Sequence, residues 1–266
     1  MRGSGPGGRI LHADLDAQLQ AAGQVATTIP ATYAKRDDAE AIPIIGLRRK
    51  IAEKMQEAKR RIPHFMYAEE VDVTELEALR AHLNATNKGT DKPKLNVLPF
   101  LATAMIRALP SHPSINGRFD DDEGVFHRFD GVHLGIAAQT PNGLMVPVVR
   151  HAEALDVYGI ADEIARVSSA AKSGKASKEE LSGSTITITS LGGIGGTGFT
   201  PIINQPEVAI LGVTRSRVQA VWDGAAFQPR MMMPLSLSYD HRVINGADAA
   251  RFVRRIGELL AEPARL

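Results

Sequence analysis

The chain has 266 residues, 44% hydrophobic and 23% charged, with a formal net charge of +1 and no cysteine. That length holds one domain of roughly 100–200 residues with appendages, or one larger α/β domain; no apolar run reaches the ~20 residues a membrane helix needs. Near-zero net charge gives no electrostatic case for nucleic acid or an anionic membrane, and the lack of cysteine excludes disulfides, cysteine nucleophiles and thiolate metal sites, so any thiol chemistry needs a sulfur brought by a ligand.

In chain order, "MRGSGPGGRILHADL" lacks the apolar core of a secretory signal, which makes a cytoplasmic location the expectation. Residues 1–19 join a Gly-rich loop to Ile10, Leu11, Leu15 and Leu19 at helical spacing. One short helix cannot bury enough to stand alone, so this reads as the end of a small domain. Residues 20–41, rich in Ala, Thr, Asp and Lys around Pro30, read as a linker, and folded sequence resumes at residue 42. "GLRRKIAEKMQEAKRRIPHF" places Leu47, Ile51 and Met55 on one face of a basic helix that stops before Pro63, its cations reading as a solvated face. "MYAEEVDVTELEALRAHLNATN" gives a strand, a Thr74 N-cap with Glu77 three residues on, and a helix to about Asn84. "LNVLPFLATAMIRALPSHPSI" is a buried helix, and "GVHLGIAAQTPNGLMVPVV" two strands around the turn "TPNG". A helix over "YGIADEIARVSSAAKSG" and a strand over "STITITSLGG" follow. "PEVAILGVTRSRVQAVW" and "PRMMMPLSLSYDH" add two strands, and the terminal helix turns Ala249, Phe252, Val253, Ile256 and Leu260 inward. Several C-terminal strands follow one another by hairpin-like turns, so the fold class is α+β, a mixed β-sheet covered by helices.

The stretch "LSLSYDHRVINGADAARF" sets Asp240, His241 and Arg242 side by side where a strand ends and a helix begins. Turn chemistry alone does not require three ionisable groups there. An imidazole near its ordinary pKa takes a proton from a thiol or hydroxyl and returns it, the work of a general base. A lone histidine in a turn is more often bonded to its own backbone; here Asn245 stands one helical turn along, and Asp240 with Arg242 can form an ion pair that fixes the loop.

"SYDHRVING" resembles the active-site signature D-H-R-x-x-D/N-G of the dihydrolipoyl acyltransferases that form the cores of 2-oxo acid dehydrogenase complexes. The segments "GLRRKIAEKM", "IPHF", "NGLMVPVVRHAE", "TITITSLGGIGG", "FTPIINQPEVAILGV" and the terminal helix are similar to that family in the same order, over about residues 42–266. "GSGPGGRILHADL" is similar to the second half of the family's peripheral subunit-binding domain, and the resemblance places a lipoyl domain ahead of it, absent from this chain. It implies the chloramphenicol acetyltransferase-like two-layer sandwich, forming trimers, with residues 42–266 as the acyltransferase core.

On the residues, the resemblance implies that His241 deprotonates a thiol of coenzyme A or dihydrolipoamide and that the Thr189 hydroxyl stabilises the resulting oxyanion. Threonine in a strand is otherwise explained by β propensity, so only the resemblance singles Thr189 out. Many members carry Asp at position 245; Asn245 can hydrogen-bond but cannot accept a proton, which leaves it orientation or polarity. Coenzyme A contacts fall on Ser190, Arg80, Asn96 and Ser168, although Arg80 equally suits an exposed helix cation. "LGGIGGTG" lacks the Lys-Ser/Thr of a phosphate loop and has no clear helix after it, so its glycines serve close backbone approach to a channel or a neighbouring subunit.

The resemblance further implies channels between subunits of a homotrimer, with the base from one chain and the oxyanion donor from the next, and trimers assembled into a 24-mer or larger shell. Expected partners are a 2-oxo acid decarboxylase, a dihydrolipoyl dehydrogenase and a lipoyl domain that delivers the lipoyl group. The N-terminal segments are most similar to bacterial branched-chain members and the tail to the acetyltransferase of pyruvate dehydrogenase, so a branched-chain acyl group is favoured and acetyl stays open. A non-catalytic core scaffold and a chloramphenicol acetyltransferase are the rival readings. His241, Thr189 and Gly246 weigh against the scaffold, and the subunit-binding segment weighs against the antibiotic-modifying enzyme.

Overall fold

The computed structural model describes residues 2–24, 36–141 and 143–266, and the chain divides into two units, Met1–Pro43 and Ile44–Leu266. In the first, a 3-10 turn at Pro6–Gly8 precedes α1 (His12–Gln24). Asp14 accepts the backbone N–H of Leu11 at 2.8 Å and of Ser4 at 2.9 Å, bonds that hold its carboxyl below the usual range. Leu15 and Leu19 lie on the helix while Ile10 and Leu11 precede it, and all four are exposed, so the helical spacing produces no buried face within this unit. α1 also runs five residues past the expected boundary at residue 19, and the remainder of the expected linker includes residues 25–35, which lie outside the described residues.

The second unit opens with α2 (Gly46–Arg61), which ends before Pro63 and feeds β1 (His64–Asp72). α3 (Thr74–Thr86) starts one residue earlier than a Thr74 cap would set it. Thr74 is the first helical residue, and Asp72 Oδ1 accepts both its N–H at 2.9 Å and its hydroxyl at 2.6 Å. The Thr74 hydroxyl is thus engaged outside the helix, donating to Asp72 and accepting Met231 N–H at 2.9 Å, while Glu77 N–H bonds Val73 O, so Thr74 starts the helix without capping it. α4 (Val97–Ala108) is capped by Asn96, whose Oδ1 accepts Leu98 N–H at 2.9 Å, and is buried along most of its length.

A hairpin of β2 (Gly117–Asp120) and β3 (Val125–Arg128) comes next, in a stretch whose sequence carries no clear alternation. The two strands expected around "TPNG" are four short ones, β4 (Leu134–Ile136), β5 (Ala138–Thr140), β6 (Gly143–Met145) and β7 (Val148–Val149). β5 and β6 pair as the hairpin, residue 142 between them lies outside the described residues, and β4 and β7 enter the main sheet. α5 (Val157–Lys172) is capped by Asp156, which accepts Gly159 N–H at 2.7 Å. β8 (Ile186–Ser190) and β9 (Ala209–Val213) follow. "PEVAILGVTRSRVQAVW" is not one strand: β9 pairs with the later part of β11 (Phe227–Asp240), the chain breaks at Thr214–Ser216, and β10 (Arg217–Trp222) pairs with the earlier part of β11. α6 (Gly246–Ala261) closes the fold.

The sheet order is β1-β11-β9-β8-β4-β7, with β10 also on β11. β8 runs parallel to both β9 and β4, and the other pairings are antiparallel, giving the expected mixed sheet covered by helices. Side chains alternate between sheet faces. Ala209, Leu211 and Val213 of β9 join the main core with the inner faces of α3 to α6, while Ile210 joins a second cluster with Ala58 and Ile62 from the end of α2. Every α6 residue expected to face inward is buried. On α2 the expected apolar face is only partly covered within the chain, since Leu47 is exposed and Ile51 and Met55 are half-buried.

Candidate active site

β11 delivers Tyr239 and Asp240 to the sheet edge buried, then turns. Asp240 N–H donates to Val208 O, and its carbonyl accepts from Val243 N and Ile244 N, which closes the turn. Its carboxylate accepts from Arg242 Nε at 3.0 Å and Nη2 at 2.7 Å. Arg242 reaches on to Asp121 and lies 4.5 Å from the centre of the Phe119 ring. Asp240 first and then Asp121 hold the guanidinium firmly charged, raising it above its ordinary value. The ion pair the sequence suggested therefore exists, with the tip of the β2–β3 hairpin added to it.

This knot leaves His241 on the rim, exposed, with its N–H donating to Pro63 O at 3.3 Å. Among the described residues neither ring nitrogen makes a hydrogen bond. The imidazole packs instead on two rings, edge-on to Phe65 at 5.1 Å and tilted to Tyr239 at 5.5 Å between centroids. That overturns the bland reading of a turn histidine bonded to its own backbone. Asn245 does not share a helix with His241: it is the extended N-cap of α6, its carbonyl accepts from Asp248 N and Ala249 N, and its exposed side chain makes no capping bond. The helix begins one residue later because the Asp240 turn occupies the preceding segment.

His64, opposite Asp240 in the β1–β11 register, is a different kind of histidine. Ile203 N–H donates to its Nε2 at 3.0 Å, so Nδ1 carries the proton that reaches Ile62 O at 2.9 Å. Burial pushes its pKa down and both nitrogens are committed, so it is a structural pin.

Thr189 is half-buried near the end of β8, paired with Gly212, and Ser190 is exposed beyond it. Ser190 Oγ accepts Gly192 N–H at 3.3 Å. A cavity of about 280 Å³ opens there, lined among others by Ser190, Gly192 and Gly193 on one side and Asn96 at the start of α4 on the other. The structure thus brings together two of the four residues expected to touch a coenzyme. Arg80 stands at the margin, with Nη1 3.4 Å from Leu95 O, but Glu77 already holds its guanidinium at 2.6 Å. Ser168 lies half-buried on α5 and does not line this cavity.

The base of β8 is fixed by a buried acid that the sequence did not reveal. Glu207 accepts from Thr187 Oγ1 at 2.9 Å, Asn204 Nδ2 at 2.7 Å and Ser184 Oγ, while Lys54 Nζ donates to Asn204 Oδ1 at 2.9 Å. Burial pushes its carboxyl up against the pull of these bonds. Its place beside Pro206 in a loop gives no periodic signal, and only the run of hydroxyl residues Ser184, Thr185 and Thr187 hinted at a buried partner.

Thr189 and His241 do not meet within one chain. Thr189 pairs with Gly212, and Gly212 with Ser236, five positions before His241 on β11. At about 3.4 Å per residue along a strand and ~4.8 Å between strands, the two lie on the order of 19 Å apart.

With this geometry in hand, the family model described as 2-oxoacid dehydrogenases acyltransferase (catalytic domain) matches residues 36–266. The lipoamide acyltransferase component of the branched-chain alpha-keto acid dehydrogenase complex of Pseudomonas aeruginosa is 56% identical over 100% of this chain, which spans 62% of that relative's length. Among solved structures, the dihydrolipoamide acetyltransferase of Azotobacter vinelandii, studied for the role of one serine, one histidine and one asparagine in its catalytic mechanism, is 43% identical with a TM-score of 0.81 over 87% of this chain and 97% of that one. A structure described as the cubic core of the pyruvate dehydrogenase multienzyme complex is 45% identical, with a TM-score of 0.81 over 88% of this chain and 96% of that one.

Proposed function

The chain belongs to the 2-oxoacid dehydrogenase acyltransferase family, and from that premise we propose that it moves an acyl group, branched-chain by preference, between dihydrolipoamide and coenzyme A as the core of a 2-oxo acid dehydrogenase complex. The observation that carries the reading is His241, an exposed imidazole packed on two aromatic rings at the end of a rigid strand, its nitrogens uncommitted among the described residues. The Azotobacter serine, histidine and asparagine are spaced by 52 and 4 positions, the intervals that separate Thr189, His241 and Asn245, which supports the same roles here.

In the proposed reaction His241 takes the proton of a thiol carried by one substrate, and the sulfur attacks the thioester carbonyl of the other. A new C–S bond forms as the carbonyl π bond opens, leaving an oxyanion to which the Thr189 hydroxyl donates. Collapse of the adduct expels the second sulfur, which recovers the proton from His241. A donor aimed at a developing oxyanion is worth about 10² to 10³-fold in rate, comparable to the base itself. Asn245 supplies polarity beside the base and accepts no proton.

Coenzyme A is a substrate with a long arm. The cavity between Asn96 and Ser190, about 280 Å³ and glycine-walled on one side, has room for such an arm and not for the whole molecule. Ser190 and Asn96 are therefore its proposed contacts. Arg80 and Ser168 remain proposals resting on the resemblance alone, and Arg80's tie to Glu77 leaves little of its charge for a phosphate.

Because the proposed base and donor of one chain lie so far apart, the site is proposed to form between copies in a homotrimer, with trimers assembling into a 24-mer or larger shell. The cubic core of the similar structure supports this, as does the partly uncovered apolar face of α2. Residues 1–19 are proposed as the end of a peripheral subunit-binding domain and 20–41 as a linker ahead of the acyltransferase core at 42–266. The decarboxylase, dihydrolipoyl dehydrogenase and lipoyl domain are the proposed partners, and the cytoplasm is the proposed compartment.

The test is a substrate panel: acetyl, isobutyryl and isovaleryl coenzyme A with dihydrolipoamide, and acetyl coenzyme A with chloramphenicol as the competing acceptor. Faster transfer of the branched groups to dihydrolipoamide is expected. Preference for acetyl returns the reading to an acetyltransferase, transfer to chloramphenicol alone makes it an antibiotic-modifying enzyme, and no transfer leaves a scaffold. The acyl margin should be modest, since one methylene in an apolar pocket discriminates by only about 10 to 200-fold.

A further inference from the structure

His241 is held by rings rather than by hydrogen bonds. Of the two, Tyr239 is wholly buried under the start of α6, where a Cβ added at Gly246 would sit 3.5 Å from its hydroxyl. It is an anchor that belongs to the core. Phe65 is the other kind of ring. It stands directly opposite Tyr239 in the β1–β11 register, 5.8 Å away between centroids, and so reaches His241 as a diagonal neighbour across the ladder. It is 54% exposed and forms no part of either core cluster, so the hydrophobic effect within this chain does not explain an aromatic residue here. Its ring meets the imidazole at 90° between planes, an arrangement that aromatic pairs favour.

We infer that Phe65 is a positioning residue for the base, clamping the His241 imidazole against Tyr239 in a single orientation. The inference rests on the reading of His241 as the base. A bare imidazole on the rim has more than one side-chain rotamer open to it, and among the described residues no hydrogen bond selects one. Edge-to-face contact with an exposed ring selects one while leaving both nitrogens free. With no hydrogen bond among the described residues to set the orientation of the ring, the aromatic contacts are what hold a nitrogen in place to accept a proton and return it within the same turnover. Phe65 touches the group that acts and need not touch substrate.

The experiment compares Phe65→Leu, Phe65→Tyr and His241→Ala in the assembled protein, measuring kcat, the KM of each substrate and the melting temperature. Loss of an aromatic pair corresponds to a change in orientation population of roughly two- to ten-fold, so Phe65→Leu should lower kcat by about that factor with both KM values kept. Phe65→Tyr, which retains the ring, should restore kcat. Melting of the assembly should move by no more than about 2 °C in either variant; a larger fall would make Phe65 a packing residue of the boundary between copies and overturn the inference. An unchanged kcat in Phe65→Leu overturns the inference, as does a defect that Phe65→Tyr shares. A rise in the KM of the acyl donor at constant kcat also overturns it, by making Phe65 a wall of the substrate pocket. If His241→Ala keeps normal turnover, the reading of the base itself has failed; if it is inactive while Phe65→Leu behaves as wild type, only the clamp has.

Discussion

At the end of β11 the chain turns inside a knot of charge. Buried Asp240 accepts from both the guanidinium and the backbone N–H of Arg242, Arg242 reaches Asp121 on the β2–β3 hairpin, and His241 is presented outward from this base. The end of β8 is anchored differently, by the sheet and by one buried acid two residues back from the proposed donor. Thr189 is held by the parallel ladder to β9, with Thr187 below it bonded to buried Glu207, and the chain leaves past Ser190 into glycines. The difference follows from what each group is proposed to do. A base must change its charge at an exposed place and still keep its orientation, so the fixed charges beneath it are paired with each other and leave its nitrogens alone. An oxyanion donor never ionises; a strand in mid-sheet is enough to place it, and the glycines beyond leave space for a ligand.

The sharpest way to break the comparison is chemical. His241→Ala should lower acyl transfer by about 10² to 10⁴-fold with the assembly intact, and Thr189→Ala by about 10² to 10³-fold, both read from steady-state rates on purified assemblies. Equal and small losses at the two positions would mean that neither strand end is the site. A smaller effect separates the ends by stability. Arg242→Met leaves the Asp240 carboxylate buried without its partner and should cost about 2–3 kcal/mol in denaturant unfolding, below the roughly 3–5 kcal/mol of a fully buried pair because Arg242 remains about a third exposed. No loss there would show that the charge knot is not what fixes the β11 turn.

Much of this was legible in the sequence because periodicity reports burial. The α6 face of Ala249, Phe252, Val253, Ile256 and Leu260 and the alternating β8 strand fold as their patterns require. What the sequence hid was pairing at a distance. "PEVAILGVTRSRVQAVW" reads as one strand because apolar residues continue past Val213, yet β11 is long enough to pair with both β9 and β10, and the chain must break at Thr214–Ser216 to use it twice. The acidic run at Asp120–Glu123 carries no periodic signal, and its Asp121 and Asp122 pair with Arg242 and Arg61 from elements distant in the chain. Phe65 stood in plain view within "IPHF", but its meaning depends on the register that sets it opposite Tyr239. Arg80 fails the other way: its residue type suited an anion, and a neighbouring glutamate had already taken the charge.

The central claim is that the base at the end of β11 and the donor at the end of β8 act together across a boundary between two copies of the chain. Co-assembly of His241→Ala and Thr189→Ala chains tests it directly, with each variant assembled alone as the reference. The claim predicts that mixed assemblies regain acyl transfer well above either variant, because some boundaries then join an intact His241 to an intact Thr189. Mixed assemblies no more active than the single variants, when co-assembled wild-type chains are fully active, would contradict it.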